Sequence, residues 1–449
     1  MKQNSELRRF KDIVAFKNNG QQAIAFHSTN LEVAEISEEL WSSLEETTYQ
    51  EAVHKDNLKN ELFRPDLENW NQEISTTTRT QNLKFKIKTL TLNVTQICNL
   101  HCHYCVAGGD GTYGDPVRQI AIEKTLPQIK FFLEQLSGGE QFHLIFLGGE
   151  PLLYPEAIRA IATYTQELGI SKEVKTSFHI ITNGTLINQK FVDLMLGLKP
   201  SITFSMDGDP ETNDQARPQK NGEGSSKQAL AGLAVLLKNR DQFSEITIHS
   251  VFNKKNMNVV NAYLFFKDQP VEHFEMTYDI TEKDESANQA FISQMKEVAR
   301  IAYEHGGEAE LRRIALYDGY FNALDEQIKK TSHCGSGKTL LSLNSRNQIF
   351  SCPLEISHKS EQVGDQTDLN YDKLEVLQKP IIELNNCGKC WARHLCGGGC
   401  MYSHKATTGN AHEKHPTYCE RTRSLIIDAI MYYKTTRDEG VQHGQNHSH

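Results

Sequence analysis

The stretch Cys98-Asn99-Leu100-His101-Cys102-His103-Tyr104-Cys105 places three cysteines at CxxxCxxC spacing, directly after a β-rich run at residues 90–95. Three thiolates on one short loop can bind three irons of a four-iron cluster and leave the fourth iron without a protein ligand. An iron with an open coordination position is a place for chemistry, since a fully ligated cluster only relays electrons or braces a fold. A zinc or structural site is the alternative that this spacing alone leaves open.

The distribution of the ten cysteines is the most informative feature of the composition. None precedes Cys98, three lie within residues 98–105, and seven lie from Cys334 to Cys419. In a reducing compartment such clusters are typical of metal sites rather than disulfides. The length of 449 residues is sufficient for two or three domains with their own cores.

Other compositional features narrow the class of protein. The sequence has no long apolar run and no apolar segment behind its first residues, so we expect no membrane span, no signal peptide and a cytoplasmic location. The net charge of −9 argues against a nucleic-acid partner, because phosphate binding normally requires a basic excess.

Residues 1–80 are predicted to form a small α+β module followed by a linker. Apolar runs at 13–16 and 23–26 flank Asn19-Gly20, a typical hairpin turn, and apolar residues recur at helical spacing over 31–44. Residues 57–80 are polar and indicate a linker. The hairpin edge could accept an extended peptide as an added strand, so the module is a candidate peptide-docking region. A role in packing alone is the alternative.

Strands and helices alternate from residue 84 onward. The sequence predicts six strands, at 84–95, 142–147, 174–182, 201–206, 245–252 and 273–279. It predicts five intervening helices, at 120–136, 155–168, 188–198, 227–238 and 257–266. Such repeated units form a parallel sheet that tends to curl into a barrel or partial barrel, with reactive loops at the carboxyl ends of the strands. The cysteine stretch follows the first strand, at that end.

Three further strands end in polar turns that contain glycine. The turns are Gly148-Gly149-Glu150-Pro151, Thr182-Asn183-Gly184-Thr185 and Ser205-Met206-Asp207-Gly208, and Arg217 follows the last of them. Taken alone, each is an ordinary strand-to-helix turn. Together they offer the carboxylate, amide, hydroxyl and guanidinium groups that a zwitterionic amino-acid ligand needs.

These motifs, in this order over about residues 85–280, resemble the radical S-adenosylmethionine (SAM) superfamily. The resemblance implies an α/β fold with a partial (β/α)6 barrel over residues 81–283, in which Cys98, Cys102 and Cys105 hold a [4Fe-4S] cluster. It implies that the open iron binds the amino and carboxylate groups of SAM. It also implies that an electron, supplied by an external donor of the flavodoxin or ferredoxin type, cleaves SAM to a 5′-deoxyadenosyl radical that abstracts hydrogen from the substrate.

The same resemblance implies which residues contact SAM. Tyr104 is expected to face the adenine, and Asn253 is a weaker candidate for the ribose. The other expected contacts hold the methionine part or line the site, and they are Gly148, Gly149, Glu150, Thr182, Asn183, Ser205 and Arg217.

The spacing Cys387-x2-Cys390-x5-Cys396-x3-Cys400 resembles the SPASM extension of radical SAM enzymes that modify peptides, with structural zinc as the alternative. The resemblance implies an auxiliary domain over residues 331–436, after a helical connector over 284–330 and before a polar tail over 437–449. It assigns Cys387, Cys390, Cys396 and Cys419 to one auxiliary [4Fe-4S] cluster, and Cys334, Cys352 and Cys400 to another. The second set has one cysteine fewer than the fullest pattern, which leaves an iron for water, His333 or a substrate atom.

The predicted function is therefore oxidative modification of a ribosomally made precursor peptide, by a thioether link, a carbon–carbon cross-link or backbone excision. The glycine-rich stretch at 106–114 resembles peptide maturases more than housekeeping enzymes. An anaerobic sulfatase maturase that forms formylglycine is one alternative, although Pro353 stands where those enzymes carry an aspartate. A non-catalytic iron–sulfur electron carrier or peptide-binding scaffold is the alternative of another class, and the intact glycine–glutamate turn and Arg217 argue against it.

Overall fold

The computed structural model of the chain describes residues 6–10, 12–17, 22–46, 86–106 and 118–445. The chain divides into two compact units. Unit 1 comprises the described residues of Met1–Thr80, Lys283–Cys334 and Pro380–His449, and unit 2 comprises those of Gln81–Glu282 and Gly335–Lys379. The domain boundaries expected from the sequence stay a prediction. The predicted turn at Asn19-Gly20, the linker at 57–80 and most of the glycine-rich stretch, 107–114, lie outside the described residues.

The amino-terminal part of unit 1 is an antiparallel sheet of five strands in the order β4-β3-β2-β1-β5. Its elements are β1 (Glu6–Phe10), β2 (Ile13–Lys17), β3 (Ala23–His27), β4 (Glu32–Ile36), α1 (Glu38–Ser43) and β5 (Glu45–Glu46). The pairing of β2 with β3 confirms the predicted hairpin. The predicted helix over 31–44 is wrong: Leu31 has a φ of 60°, the following residues pair with β3, and a helix begins only after Ser37, whose side chain caps α1.

Unit 2 is built on a sheet of ten strands. Six of them are parallel and stand side by side in chain order, which confirms the predicted α/β class and its parallel sheet. They are β6 (Thr89–Asn93), β7 (Gln141–Leu147), β8 (Lys175–Thr182), β9 (Ser201–Ser205), β10 (Ile246–Phe252) and β11 (His273–Tyr278). Alternate side chains such as Phe142, Leu144 and Phe146 are fully buried on one face of the sheet.

Helices connect these strands as predicted, with small shifts at their ends. They are α2 (Ile122–Leu133), α3 (Pro155–Ser171), α4 (Gln189–Met195), α5 (Pro210–Ala216), α6 (Ser226–Lys238) and α7 (Val259–Phe266). The sequence analysis did not predict α5, a short polar helix that starts where the Asp209 side chain accepts from the Thr212 backbone N–H.

Four short strands extend the sheet beyond β6. They are β12 (Leu340–Leu343), β13 (Gln348–Phe350), β14 (Gln362–Asp365) and β15 (Asp368–Leu369), and β12 runs parallel to β6. The sequence analysis predicted none of them, because each is short and β12 pairs with a strand that is distant in the chain. Helix α10 (Tyr371–Gln378) follows in the same unit.

The remaining elements of unit 1 are helical: α8 (Glu285–Arg312), α9 (Ala315–Asp325), α11 (Ile381–Leu384), α12 (Arg393–Cys396), α13 (Met401–Thr408) and α14 (Pro416–Gln445). The predicted helix at 291–306 is part of α8, whose backbone leaves helical geometry at Gly306 and Gly307. The predicted closing helix over 420–434 is observed as part of α14, which extends beyond both predicted ends. No helix among the described residues is both long and apolar enough to cross a membrane.

Trp391 joins the cysteine-rich segment to the amino-terminal sheet inside unit 1. Its side chain is fully buried, and its ring centroid lies 5.5 Å from that of Phe16 and 6.3 Å from that of Phe26. Beside it, Arg393 contacts the Asp12 carboxylate at 3.2 Å. The amino-terminal sheet therefore packs on the segment that carries the carboxyl-terminal cysteines.

Candidate cluster and cofactor sites

The first candidate site lies in unit 2, where the loop after β6 carries the partly buried thiols of Cys98, Cys102 and Cys105. Burial, and after it the Glu150 carboxylate, raises the pKa of Cys98 to about 12, and burial raises the pKa of Cys102 to about 11. The thiols of Cys102 and Cys105 are both within electrostatic range of Cys98. Such thiols ionise only beside a strong positive charge, and a coordinated metal supplies it. Three of them on one loop fit an iron–sulfur cluster.

Within the described part of the chain, there is no group of three or more His, Cys, Asp or Glu side chains that could hold a single metal ion. A four-iron cluster distributes its thiolates over several irons.

Gly148 and Gly149 allow the end of β7 to approach the cysteine loop closely. The Gly149 N–H donates to the Thr95 carbonyl oxygen at 2.8 Å, and the Glu150 N–H donates to the Ile97 carbonyl oxygen at 2.9 Å. A Cβ atom on Gly148 would lie 2.4 Å from the Thr95 oxygen, and one on Gly149 would lie 2.2 Å from the Ile97 carbonyl group. The loop backbone therefore requires both glycines, independently of any contact with SAM.

Glu150 is a buried carboxylate that three donors hold in place. It is 1% exposed and accepts from the Thr182 hydroxyl at 2.7 Å, the Asn183 N–H at 2.8 Å and the Leu152 N–H at 2.9 Å. Burial raises its pKa to about 7, since these hydrogen bonds only partly offset the desolvation of the charge. A cation bound beside Glu150 would favour the charged form, so the group suits an ammonium ligand.

Asn183 connects this carboxylate to the cysteine loop. Its side-chain amide donates to the Asn99 side-chain oxygen at 2.9 Å and lies 3.8 Å from the Cys98 sulfur. The Thr185 hydroxyl donates to the Asn183 side-chain oxygen at 2.6 Å and fixes the orientation of the amide. A donor that faces a ligand sulfur tunes a cluster, so Asn183 supports the loop directly. The sequence analysis missed Asn99, although it follows the first cysteine.

Asp207 holds the opposite side of the cysteine loop. It accepts from the Tyr104 hydroxyl at 2.7 Å and from the Val251 N–H at 2.9 Å. The Arg217 Nε lies 3.1 Å from the same carboxylate and forms an ion pair, although its N–H is not aligned for a hydrogen bond. The Arg217 guanidinium also lies 5.4 Å from the centroid of the Tyr104 ring. Asp207 is fully buried and Arg217 is 6% exposed.

The sequence analysis quoted Asp207 within its motif but assigned it no role. The signal was available, because an aspartate directly after a buried strand and shortly before an arginine indicates an ion pair. Burial raises the pKa of Tyr104 well above its usual value, so the phenol stays a hydrogen-bond donor.

Ser205 and Asn253 are the remaining predicted SAM contacts. Ser205 ends β9, is 8% exposed and pairs in register with His249 of β10. The Asn253 amide faces the Asp279 carboxylate at 3.4 Å, in a separate network after β10 and β11. The structure thus brings two networks, those of Glu150 and Asp207, to the cysteine loop, and it places Asn253 in a third.

A second group of thiols lies within unit 1. The Cys396 thiol is within electrostatic range of Cys390, Cys419 and Cys387, and burial followed by these neighbours raises its pKa. Burial also raises the pKa of Cys387 to about 11 and raises that of Cys419. The structure therefore brings together the four cysteines that the sequence analysis assigned to one auxiliary cluster, and this donor set fits a four-iron cluster.

The other three cysteines are divided between the units. Cys334 is exposed and belongs to unit 1, Cys352 is partly buried and belongs to unit 2, and Cys400 precedes α13 in unit 1. Their assignment to a second auxiliary cluster stays a prediction, as does the role of His333. Within unit 2, the two residues that flank the Cys352 segment, Phe350 and Ile356, pack against Cys105 and Val106.

Comparison with known proteins finds a family model and several similar proteins. The family described as Radical SAM superfamily matches residues 92–279. The AdoMet-dependent heme synthase of Methanosarcina barkeri is 25% identical over 72% of this chain and 93% of its own length. The radical SAM cyclopropyl synthase TigE of Paramaledivibacter caminithermalis is 22% identical over 95% of this chain and 96% of its own.

A solved structure is similar as well. Native anSMEcpe with bound AdoMet and Cp18Cys peptide has a TM-score of 0.64 and 18% identity, and the match covers 78% of this chain and 99% of that one. At this identity the likeness concerns the fold.

Proposed function

Because the chain carries a radical SAM domain over residues 92–279, and is therefore an iron–sulfur enzyme that uses SAM, we propose that it oxidatively modifies a ribosomally made precursor peptide. The observation that carries the proposal is the group of four thiols in unit 1, outside that domain. The electron released when a substrate radical is oxidised needs an acceptor, and a second cluster outside the SAM site can serve as one. A peptide substrate agrees with the peptide bound in the similar anSMEcpe structure.

In this proposal the residues of unit 2 prepare the site. When bound, the cluster and SAM supply a 5′-deoxyadenosyl radical that abstracts hydrogen from the substrate. Cys98, Cys102 and Cys105 hold the cluster, and Glu150 accepts from the ammonium group of SAM. Arg217 faces the carboxylate of SAM while Asp207 fixes its position and that of Tyr104. The burial of these groups excludes water and strengthens each charged contact.

The four thiols grouped in unit 1 would hold the electron acceptor that balances the proposed reaction. Formation of a cross-link removes two hydrogens from the peptide: one leaves as a hydrogen atom to the deoxyadenosyl radical, and the other leaves as a proton and an electron. That electron needs an acceptor, which is the role that we propose for a cluster held by Cys387, Cys390, Cys396 and Cys419. An external protein of the flavodoxin or ferredoxin type would then exchange electrons with the enzyme.

Formation of formylglycine is the alternative reaction within the same family, and Pro353 in place of an aspartate counts against it. The thioether, carbon–carbon and excision reactions are all compatible with the cysteine loop of unit 2 and the four thiols grouped in unit 1. A non-catalytic electron carrier is disfavoured by the intact networks of Glu150 and Asp207, which a relay protein would not need.

The test is anaerobic incubation of the reconstituted enzyme with SAM and dithionite, followed by co-expression with a small peptide encoded beside its gene. We expect 5′-deoxyadenosine from the first step and a peptide lighter by two hydrogens, or by an excised fragment, from the second. Replacement of Cys98, Cys102 and Cys105 by Ala should abolish both. Replacement of Cys387, Cys390, Cys396 and Cys419 by Ala should keep the deoxyadenosine and abolish the peptide change.

Two results would contradict the proposal. Absence of deoxyadenosine from the wild-type enzyme, even with peptide present, would remove the catalytic assignment. Conversion of a sulfatase peptide to formylglycine, with no change in the neighbouring peptide, would establish the alternative reaction.

A further inference from the structure

Arg423 is a buried arginine without a counter-ion among the described residues. Its side chain is buried, with the whole residue 8% exposed, and its Nε has no hydrogen-bond partner in the described part of the chain. Arg437, on the same helix, contacts the carboxylates of Glu308 and Asp325. A buried charge without a partner is costly, so an unpaired guanidinium in a folded unit indicates that negative charge belongs beside it.

The position of Arg423 on α14 shows where that negative charge belongs. Arg423 follows Cys419 by four residues, which places both side chains on one face of the helix. Long side chains on a helix point back toward its amino terminus, and so Arg423 reaches toward Cys419. Arg423 lies within electrostatic range of the thiols of both Cys419 and Cys387.

Lys414 is the other cation that acts on both of these thiols. It differs from Arg423 because it is only partly buried and its ammonium group donates to the Asn386 carbonyl oxygen at 3.0 Å. Cys396, by contrast, is influenced mainly by burial and by the three other thiols. Arg423 is therefore the buried cation of this thiol group that lacks a protein partner among the described residues.

We infer that Arg423 is the counter-cation of a four-iron cluster held by Cys387, Cys390, Cys396 and Cys419, and that it raises the reduction potential of this cluster. The inference rests on the proposed function for the presence of the cluster. A four-iron cluster with four thiolates carries net negative charge and gains one more unit when it is reduced. A buried cation therefore stabilises the reduced form more than the oxidised form.

The consequence is an auxiliary cluster that accepts an electron readily. A substrate radical that lost one electron and one proton would pass that electron to this cluster. A higher potential shifts this exchange toward the oxidised product. Hydrogen bonds, charge and solvent exposure are the usual means by which a protein sets such a potential.

The test is a potentiometric titration of the reconstituted full-length protein, followed by electron paramagnetic resonance. A background in which Cys98, Cys102 and Cys105 are Ala removes the signal of the SAM-binding cluster. The cluster of interest is identified as the signal that disappears when Cys387 and Cys390 are also replaced. Arg423→Met removes the charge and keeps most of the volume, Arg423→Lys keeps the charge, and Arg437→Met is the matched control on the same helix.

We expect Arg423→Met to lower the reduction equilibrium constant at least tenfold, which is a shift of about 59 mV to lower potential for one electron. Arg423→Lys should retain most of the wild-type potential, and Arg437→Met should leave the potential unchanged even though it loses stability. If Arg423→Met and Arg423→Gln both fail to load iron while Arg423→Lys loads it, the charge is required for the cluster, which also supports the inference.

An unchanged midpoint in Arg423→Met with full iron content would overturn the inference. Failure of the proposed function gives a different result. If replacing Cys387, Cys390, Cys396 and Cys419 by Ala did not reduce the iron content by about four atoms per chain, this cluster would be absent and the proposal would lose its main support.

Discussion

Replacement of Asp207 by Asn should destabilise unit 2 and weaken SAM binding together. Asp207 is fully buried and pairs with Arg217, which is 6% exposed, so neither charge is screened by solvent. Removal of one partner of a buried ion pair costs about 3–5 kcal/mol, because the other charge stays buried without compensation. The Asn side chain keeps the volume and can still accept from Tyr104 or Val251, so we expect about 3 kcal/mol.

This loss can be measured by calorimetry on the full-length protein. For a unit of about 150–250 residues, 1 kcal/mol changes the unfolding midpoint by about 2–4 °C, so Asp207→Asn should lower the midpoint by about 6–12 °C. In the reconstituted enzyme, SAM binding alters the signal of the open-iron cluster. The variant should need more SAM for this change, since Arg217 is no longer fixed in place.

A double-mutant cycle separates the ion pair from general damage. Arg217→Gln in the Asp207→Asn background should cost less than it does in the wild type, with a coupling energy of about 1–3 kcal/mol. Glu211→Gln, an exposed acid in α5, is the control and should stay within about 0.5 kcal/mol of the wild type. A midpoint within 2 °C of the wild type, or additive costs in the cycle, would refute the role given to this pair.

Two further predictions concern Glu150 and Gly149. Burial raises the pKa of Glu150 to about 7 from its usual value near 4.5, so in this pH range the folded protein binds a proton that the unfolded chain releases. Without SAM, the free energy of unfolding should therefore fall by about 3 kcal/mol as the pH rises from about 4.5 through 7. Glu150→Gln should remove this pH dependence of unfolding. SAM affinity measured across the same range should fall below pH 7 in the wild type, because an ammonium group needs the charged carboxylate, and a flat profile would exclude Glu150 as its partner. Gly149→Ala should prevent cluster loading, because its Cβ would lie 2.2 Å from the Ile97 carbonyl group, whereas Gly319→Ala, with no atom within 4 Å of the new carbon, should load normally and gain about 0.5–1 kcal/mol in helix α9. Equal iron content in the two variants would contradict the close approach.

The sequence was sufficient to predict the parallel sheet because its signals are local. Each of the six parallel strands is a largely apolar run, three of them (β7, β8 and β9) end in a polar turn that contains glycine, and the helices between them have their own periodicity. Glu150 and Asn183 could be predicted as site residues for the same reason, since they lie within three residues of the ends of β7 and β8. The carboxyl ends of adjacent parallel strands necessarily meet at one edge of the sheet.

Features that depend on distant partners were missed. Residues 31–44 have helical apolar spacing, yet a pairing with β3 converts the first part of this segment into β4, so a tertiary contact overrides the local pattern. Strand β12 is four residues long and is defined by its pairing with β6. The ion pair of Asp207 with Arg217 could have been predicted from their spacing, but the contact of Asp207 with Tyr104 becomes visible only when two different loops are brought together.

The charges around the cysteine loop of unit 2 differ in sign from those around the four thiols of unit 1, and this difference suits the proposed chemistry. Among the charged groups that act on Cys98, the Glu150 carboxylate has the largest effect, and the arginine that acts on Cys102, Arg217, is already paired with Asp207. The cations that act on both Cys419 and Cys387 are Lys414 and Arg423, and Arg423 has no ion-pair partner among the described residues. Negative surroundings lower the reduction potential of a cluster and positive surroundings raise it. Two clusters of the same composition would therefore differ: the first would be the stronger reductant, as cleavage of SAM requires, and the second the better acceptor, as oxidation of a peptide radical requires.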